Sequence, residues 1–369
     1  MTETGRVPAG TPSGFFTAVL ARRKTTERRA GRAPRKGADV KKAYRALSRT
    51  EILEYLEEPW ESFHTGLLQE AKETHRRENG DRLIASAMLG FDNICRNQCL
   101  YCGMRAGNVA IPRYRMEPEE ILSLFSAAAK TGLTRAFLIS GEDPKFGFDR
   151  LCRLVSDLKR NGAAHVSLAC GEFEKAQFAE LRAAGADEYV LKFEMAQEEV
   201  FNRLNPSTDF RRRMRAIESI RELGIPLASG DIVGYPGQTL SMLAEDIDRM
   251  RELEISWAPV IPYMPAANTP LAAEGGPGNV EWIWRTIALL RVMMPGVRIT
   301  AGQPGRDLRE GLAGREGNLA ALAAGADLLF ADLLPASRAA DFRVVDNRIL
   351  AGLDHIREIA RENGMRLVL

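Results

Sequence analysis

Eight short apolar runs, each separated from the next by a segment of helix length, constrain this chain more than any other feature. The runs are Ser86–Asn93, Arg135–Ser140, His165–Cys170, Glu188–Glu194, Pro226–Gly234, Trp257–Tyr263, Val297–Gly302 and Asp327–Asp332. Between them lie amphipathic stretches at Pro118–Thr131, Phe148–Asn161, Glu174–Ala184, Phe210–Leu223, Ser241–Leu253, Val280–Met294 and Gly317–Ala324. Apolar runs of this length read as buried parallel strands, and the stretches between them repeat with the helical period. Pro118 suits a first helical position, where its missing N–H costs nothing. Eight strands alternating with helices predict an α/β fold of the (βα)8 TIM-barrel kind. A doubly wound sheet would use fewer strands and carry G-x-G-x-x-G after the first, which is absent. A barrel also predicts where chemistry sits, at the C-terminal ends of the strands.

The remaining segments divide the 369 residues. Residues 1–45 form a basic stretch with Arg22, Arg23, Lys24, Arg28, Arg29, Arg32, Arg35, Lys36, Lys41 and Lys42 among Gly, Pro, Thr and Ala. Composition of that kind reads as a solvated, disordered tail, and Glu3 and Glu27 argue against an organellar presequence. Residues 46–80 read as helices, opened by Ser48 as a cap ahead of Glu51. The barrel is expected over 81–340 and a C-terminal helical segment over 341–369. A net charge of +2 gives no electrostatic case for nucleic acid or an anionic membrane as partner. No apolar run approaches the roughly 20 residues of a membrane span, and no secretory signal opens the chain. The expected location is the cytoplasm.

Three of the five cysteines crowd into Cys95-Arg96-Asn97-Gln98-Cys99-Leu100-Tyr101-Cys102, directly after the first strand. In a reducing compartment, such crowding points to metal and not to disulfides. A structural zinc site would ask for a fourth Cys or His, and His64, His75, His165 and His355 are scattered. Three thiolates on one loop can instead hold three corners of a [4Fe-4S] cluster and leave one iron open to an amine and a carboxylate. An electron carrier would complete its cluster with a fourth cysteine. Tyr101, beside the third cysteine, is placed to stack on a flat ligand such as adenine.

The C-x3-C-x2-C triplet with an aromatic before its last cysteine resembles the signature of the radical S-adenosylmethionine (SAM) superfamily. The wider string GFDNICRNQCLYCGMRAGN, followed by RYRM, resembles a narrower group within it. That group holds the [FeFe]-hydrogenase maturase of the HydE type, methylornithine synthase and, more distantly, biotin synthase. The likeness runs from about Leu67 to about Pro335. It implies a [4Fe-4S] cluster on Cys95, Cys99 and Cys102, bound SAM, and reductive cleavage of SAM to a 5′-deoxyadenosyl radical. The radical would act on a small molecule, and electrons would come from a low-potential donor such as ferredoxin or flavodoxin.

By the same resemblance, Ser140-Gly141-Glu142 at the end of strand two holds the SAM amine. Small residues there let the backbone approach, and a carboxylate accepts ammonium hydrogens. Glu194 falls where these enzymes contact SAM, and Arg213 looks like the arginine that clamps the SAM carboxylate. Ile232 and Val233, in a Ser229–Thr239 stretch similar to that of the maturase group, are expected to flank adenine.

The departures limit the substrate reading. Only Cys152 and Cys170 remain, too few for a second fully ligated cluster, and Cys170 reads as a small buried apolar residue. The stretch Ala258–Ile261 has no arginine, and the end of strand seven has no clear serine and aspartate pair, which speaks against a lysine substrate. The run Arg306-Asp307-Leu308-Arg309-Glu310 replaces Thr- and Gly-rich text of the maturase group. A HydE-like activity is therefore the first expectation. A methylornithine synthase-like mutase of an amino acid is one alternative. A scaffold for metallocofactor maturation, with partners of its own, is the other.

Overall fold

The longest strand is also the one on which the sheet is built. Strand β1 (Arg82–Asp92) is an eleven-residue run buried over almost its whole length. The computed structural model of the protein describes residues 45–349 and 351–369; the basic stretch expected at 1–45 lies, apart from Arg45, outside the described residues. Strands β2 (Arg135–Ser140), β3 (His165–Ala169), β4 (Glu188–Val190), β5 (Leu227–Ala228), β6 (Ile232–Val233), β7 (Trp257–Ala258), β8 (Ile261–Pro262), β9 (Arg298–Ile299), β10 (Leu328–Asp332) and β11 (Arg366–Val368) follow. One sheet runs in the order β10-β1-β2-β3-β4-β5-β7-β9 with every pair parallel. Its two ends meet at a parallel bridge between Thr300 and Leu328, where the Ala301 N–H donates to Leu328 O at 2.7 Å. Eight parallel strands thus curl into the barrel that the alternation predicts.

Several boundaries differ from the expected ones: β4 stops at Val190 and not at Glu194, and β9 covers only Arg298–Ile299 of the run expected over 297–302. The runs 226–234 and 257–263 are each interrupted, leaving β6 and β8 as a separate parallel pair beyond β5 and β7. Pro259 supplies no N–H for the ladder, so the second run breaks there. Strand β1 begins at Arg82 and not at Ser86 because β11 pairs with Arg82–Ile84.

Helices Pro118–Ala129, Phe148–Arg160, Lys175–Ala184, Phe210–Glu222, Leu240–Glu252, Val280–Met293 and Arg315–Ala323 alternate with the barrel strands. The helices Arg49–Glu57, Trp60–Thr65 and Leu67–Asn79 precede them. Ser48 caps the first through a full capping box with Glu51. These N-terminal helices pack on Val280–Met293, which explains why that helix is buried from Ile283 to Met293 with no solvent face.

The interior has two tiers. At the start of the strands a polar plug closes the barrel: Glu188 accepts hydrogen bonds from Ser256 Oγ (2.5 Å), Ser167 Oγ (2.9 Å) and Arg298, with His165 Nε2 at 3.6 Å. Burial alone would raise the Glu188 carboxyl, but His165, Arg298 and Ser256 outweigh it and hold the group at about 2. Above the plug lies an apolar lumen of Met88, Phe137, Val190, Ala228, Trp257, Leu328 and Phe330. The C-terminal end stays open above that.

Candidate functional site

Strand β1 hands over to an irregular loop that carries Cys95, Cys99 and Cys102, and the loop is held by hydrogen bonds instead of regular structure. Arg113 is its central tie. One of its terminal nitrogens donates to Asn93 O (2.6 Å) and Met104 O (2.8 Å), the other to Arg105 O (2.7 Å) and Asn108 O (2.9 Å). Asn93 Nδ2 donates to Pro112 O and Asp341 O, both at 2.8 Å, and Gly103 N–H donates to Val344 O at 2.9 Å. The loop also lies hard against the end of β2. Gly141 N–H donates to Asp92 O at 2.8 Å, and a Cβ on Gly141 would overlap Ile94 O.

The three thiols face one cavity of about 330 Å³ at the mouth of the barrel. None is in a disulfide, and the Glu142 N–H donates to Cys95 Sγ at 3.4 Å. Burial pushes the Cys95 and Cys99 thiols above their usual value and Cys102 up to about 12, so on their own they stay protonated. A cationic iron-sulfur cluster supplies the charge that makes thiolates stable there. Among the described residues no three of His, Cys, Asp and Glu converge as ligands to a single metal ion. A cube with separated corners asks for no such convergence. Three thiols around a common cavity, with a backbone N–H aimed at one sulfur, therefore fit a [4Fe-4S] cluster.

The strand ends complete the cavity. Tyr101, Ser140, Gly141, Glu142, Glu194, Arg213 and Ile232 line it together with the three cysteines. Val233 does not: its side chain sits in the core, and its carbonyl accepts the Tyr263 N–H at 2.7 Å. Glu142 pairs with Arg96 at 3.1 Å and accepts the Glu172 N–H at 3.3 Å. Gly171, at φ +102°, is required beside it, because a Cβ there would overlap the Glu142 side chain. Tyr101 is fixed by its hydroxyl, which donates to Asn205 Oδ1 at 2.7 Å.

Glu194 has φ +63°, a left-handed backbone that few non-glycine residues adopt. The conformation is over-determined: Glu194 N–H donates to Gly230 O (3.1 Å), and its carbonyl accepts the Ile232 N–H (3.0 Å). Strain held in this way turns the carboxylate toward the cavity, where Lys192 Nζ stands 3.0 Å away. Behind it Asp231 is fully buried with neither carboxylate oxygen hydrogen-bonded, and burial pushes its carboxyl up to about 7. Arg213 is buried, donates from Nε to Glu172 Oε1 at 2.5 Å and from Nη1 to Lys192 O, and lies over the Phe201 ring at 5.2 Å.

Arg113 stands in the RYRM run but carried no role in the sequence reading. Lys192 was legible as a lone cation inside an apolar run two residues before Glu194. Arg348, from the loop after β10, also lines the cavity, and no local pattern marks it. Cys170 is buried with its thiol raised to about 12, and Cys152 lies half-buried on helix Phe148–Arg160.

Residues 91–250 match the family described as the radical SAM superfamily. Over 239 residues the chain is 35% identical to the [FeFe] hydrogenase maturase subunit HydE of Thermotoga maritima, covering 65% of this chain and 68% of that protein. It is 26% identical over 261 residues to a 3-methylornithine synthase of Methanosarcina acetivorans, covering 70% of this chain and 72% of that protein. In fold it is similar to the crystal structure of methylornithine synthase, with a TM-score of 0.77 at 22% identity over 88% of this chain and 94% of that one.

Proposed function

Because this chain belongs to the radical SAM superfamily, we propose that it cleaves SAM reductively and turns the resulting radical on a small molecule held in the barrel lumen. The observation that carries this reading is the meeting of three cysteines with Ser140, Glu142, Glu194 and Arg213 on one cavity above an apolar lumen. When bound, the cluster and SAM supply a 5′-deoxyadenosyl radical, formed as the C5′–S bond takes up one electron and breaks.

The chain's own residues do the rest. Cys95, Cys99 and Cys102 would hold the cluster at three of its corners. The Glu142 carboxylate and the backbone of Ser140 and Gly141 would accept the hydrogens of the SAM amino group. Arg213 pairs the SAM carboxylate while it keeps Glu172, whose second oxygen also accepts from Thr208 at 2.9 Å. Glu194 receives ribose hydroxyls, Ile232 flanks the adenine, and Tyr101 offers it a ring face. The buried lumen below keeps water from the reacting carbon. Electrons come from an external low-potential donor such as ferredoxin or flavodoxin.

The 35% identity to HydE favours a second, finer reading, in which the small molecule belongs to metallocofactor maturation. Restoration of hydrogenase activity in a maturation mixture lacking HydE tests that reading.

The primary test is anaerobic reconstitution, addition of dithionite and SAM, and quantification of 5′-deoxyadenosine. Wild type should produce it, and Cys99→Ala should lose iron and product together. Equal production by a cluster-free Cys99→Ala protein would sink the proposal.

A further inference from the structure

Below the strand ends the cavity continues into the lumen, where it is walled by Met88, Phe137, Trp257 and Phe330. The three aromatic rings pack on one another at 5.1 to 5.3 Å. The lining offers few polar groups here. Thr300 Oγ1 is already engaged, accepting the Trp257 Nε1–H at 2.9 Å. The acidic lining residues, Glu142 and Glu194, follow β2 and β4, and each already has an ion partner in Arg96 or Lys192.

Arg348 is different. It reaches the cavity from the loop after β10, across the barrel from β4, with 6% of its side chain exposed. Among the described residues it donates twice: to Asp332 Oδ2 at 3.4 Å, a long contact, and to the thioether sulfur of Met88. Its guanidinium lies 4.7 Å over the Phe342 ring, and Asp332 spends its other oxygen on the Leu334 N–H at 3.0 Å. Asp332 is its ion partner at 3.4 Å, yet only two of the five N–H donors of this guanidinium are engaged, which leaves capacity for a second acceptor. The same group borders an outer hollow of about 410 Å³ made by residues 339–349, so an anion can reach it.

We infer that the lumen takes a substrate with an aliphatic or aromatic body and one carboxylate, and that Arg348 binds that carboxylate. An apolar wall ending in a single under-paired guanidinium matches that chemistry: the body is buried against rings and Met88, and the charge meets a planar fork. A free amino acid fits less well, because no unpaired carboxylate lines this side for its ammonium. The inference rests on the cavity being the reaction chamber of a radical SAM enzyme, and it adds the class of molecule the chamber holds.

Equilibrium dialysis on the reconstituted protein with SAM tests it, with 3-phenylpropionate, its neutral amide 3-phenylpropionamide, and phenylalanine as probes. Wild type should bind 3-phenylpropionate about tenfold or more tighter than the amide, and phenylalanine more weakly than 3-phenylpropionate. Arg348→Gln, with iron content as the control for folding, should bind acid and amide alike. Equal binding of acid and amide by wild type, binding of neither at millimolar concentration, or retained acid preference in a cluster-loaded Arg348→Gln protein would each overturn the inference. Where Arg348→Gln does not load iron, Arg348→Lys takes its place and should bind the acid more weakly than wild type, while the wild-type comparison alone tests the preference for a carboxylate. Production of 5′-deoxyadenosine in the same preparation reports separately on the reaction: cleavage without acid preference rejects this inference alone.

Discussion

Arg113 makes four hydrogen bonds to four carbonyls of the cysteine loop, and among the described residues no other side chain has that reach. A lysine there keeps the charge but cannot span four acceptors from a planar fork. Arg113→Lys should therefore load iron and then lose it roughly 10- to 100-fold faster than wild type, as outer-shell changes at metal sites do. Decay of cluster absorbance in the presence of a chelator measures this, and an unchanged rate would mean the loop holds itself. The cysteines were legible because ligand chemistry fixes both residue type and spacing. Arg113 was not, because an arginine tying carbonyls has the same one-letter signature as an arginine in solvent. Glu194 was legible as a residue and not as a conformation: its left-handed backbone is set by Gly230 and Ile232 from the neighbouring strand end.

Between elements, the closest approach of consequence is where the end of β2 meets the loop leaving β1. Gly141→Ala would drive a methyl into Ile94 O. One of the two must move, and Cys95 is the next residue along the loop. The expected outcome is a folded protein whose bound iron falls severalfold; full iron content at wild-type stability would show that the loop yields freely. At the other end of the chain's described part, Ser48→Ala removes the hydroxyl half of a capping box, leaving the backbone N–H that Glu51 accepts, and should cost about 1 kcal/mol in a denaturant titration while leaving iron content alone. Elements with strong periodicity, such as Phe148–Arg160 and Phe210–Glu222, could be read from sequence to within a residue or two. Strand β11 could not, since its only reason to be a strand is the free edge of Arg82–Ile84, far away in the chain.

Across the whole molecule, polarity is layered: a charged plug at one end of the barrel, an apolar lumen, and a polar mouth. Outside the plug, His75 is buried on the inner face of helix Leu67–Asn79 with its Nε2 3.9 Å from Asp327 Oδ2. Burial, then the charges of Arg291 and Arg82, lower its imidazolium to about 4. Below pH 6.5 the unfolded chain therefore binds a proton that the folded chain refuses until about pH 4. Stability falls as pH falls through that window, by about 3 kcal/mol at most. Asp231, raised to about 7, works in the opposite direction, so the difference between proteins is the clean observable. Melts of wild type and His75→Gln from pH 7 to pH 4 should show wild type losing more on acidification; parallel curves would refute the assignment. The layering was foreseeable in outline from the eight-fold alternation, but the plug residues come from β3, β4, β9 and the approach to β7, and their meeting is a property of closure alone. Closure has one more consequence. The cysteine loop hangs from the first barrel strand, yet it is tied by Asn93 to Asp341 and by Gly103 to Val344, and β1 takes β10 as its second neighbour. During synthesis the ribosome delivers the thiols long before it delivers these anchors. The nascent triplet is therefore an unshaped chelator, open to whichever metal arrives, and iron insertion belongs to the finished polypeptide.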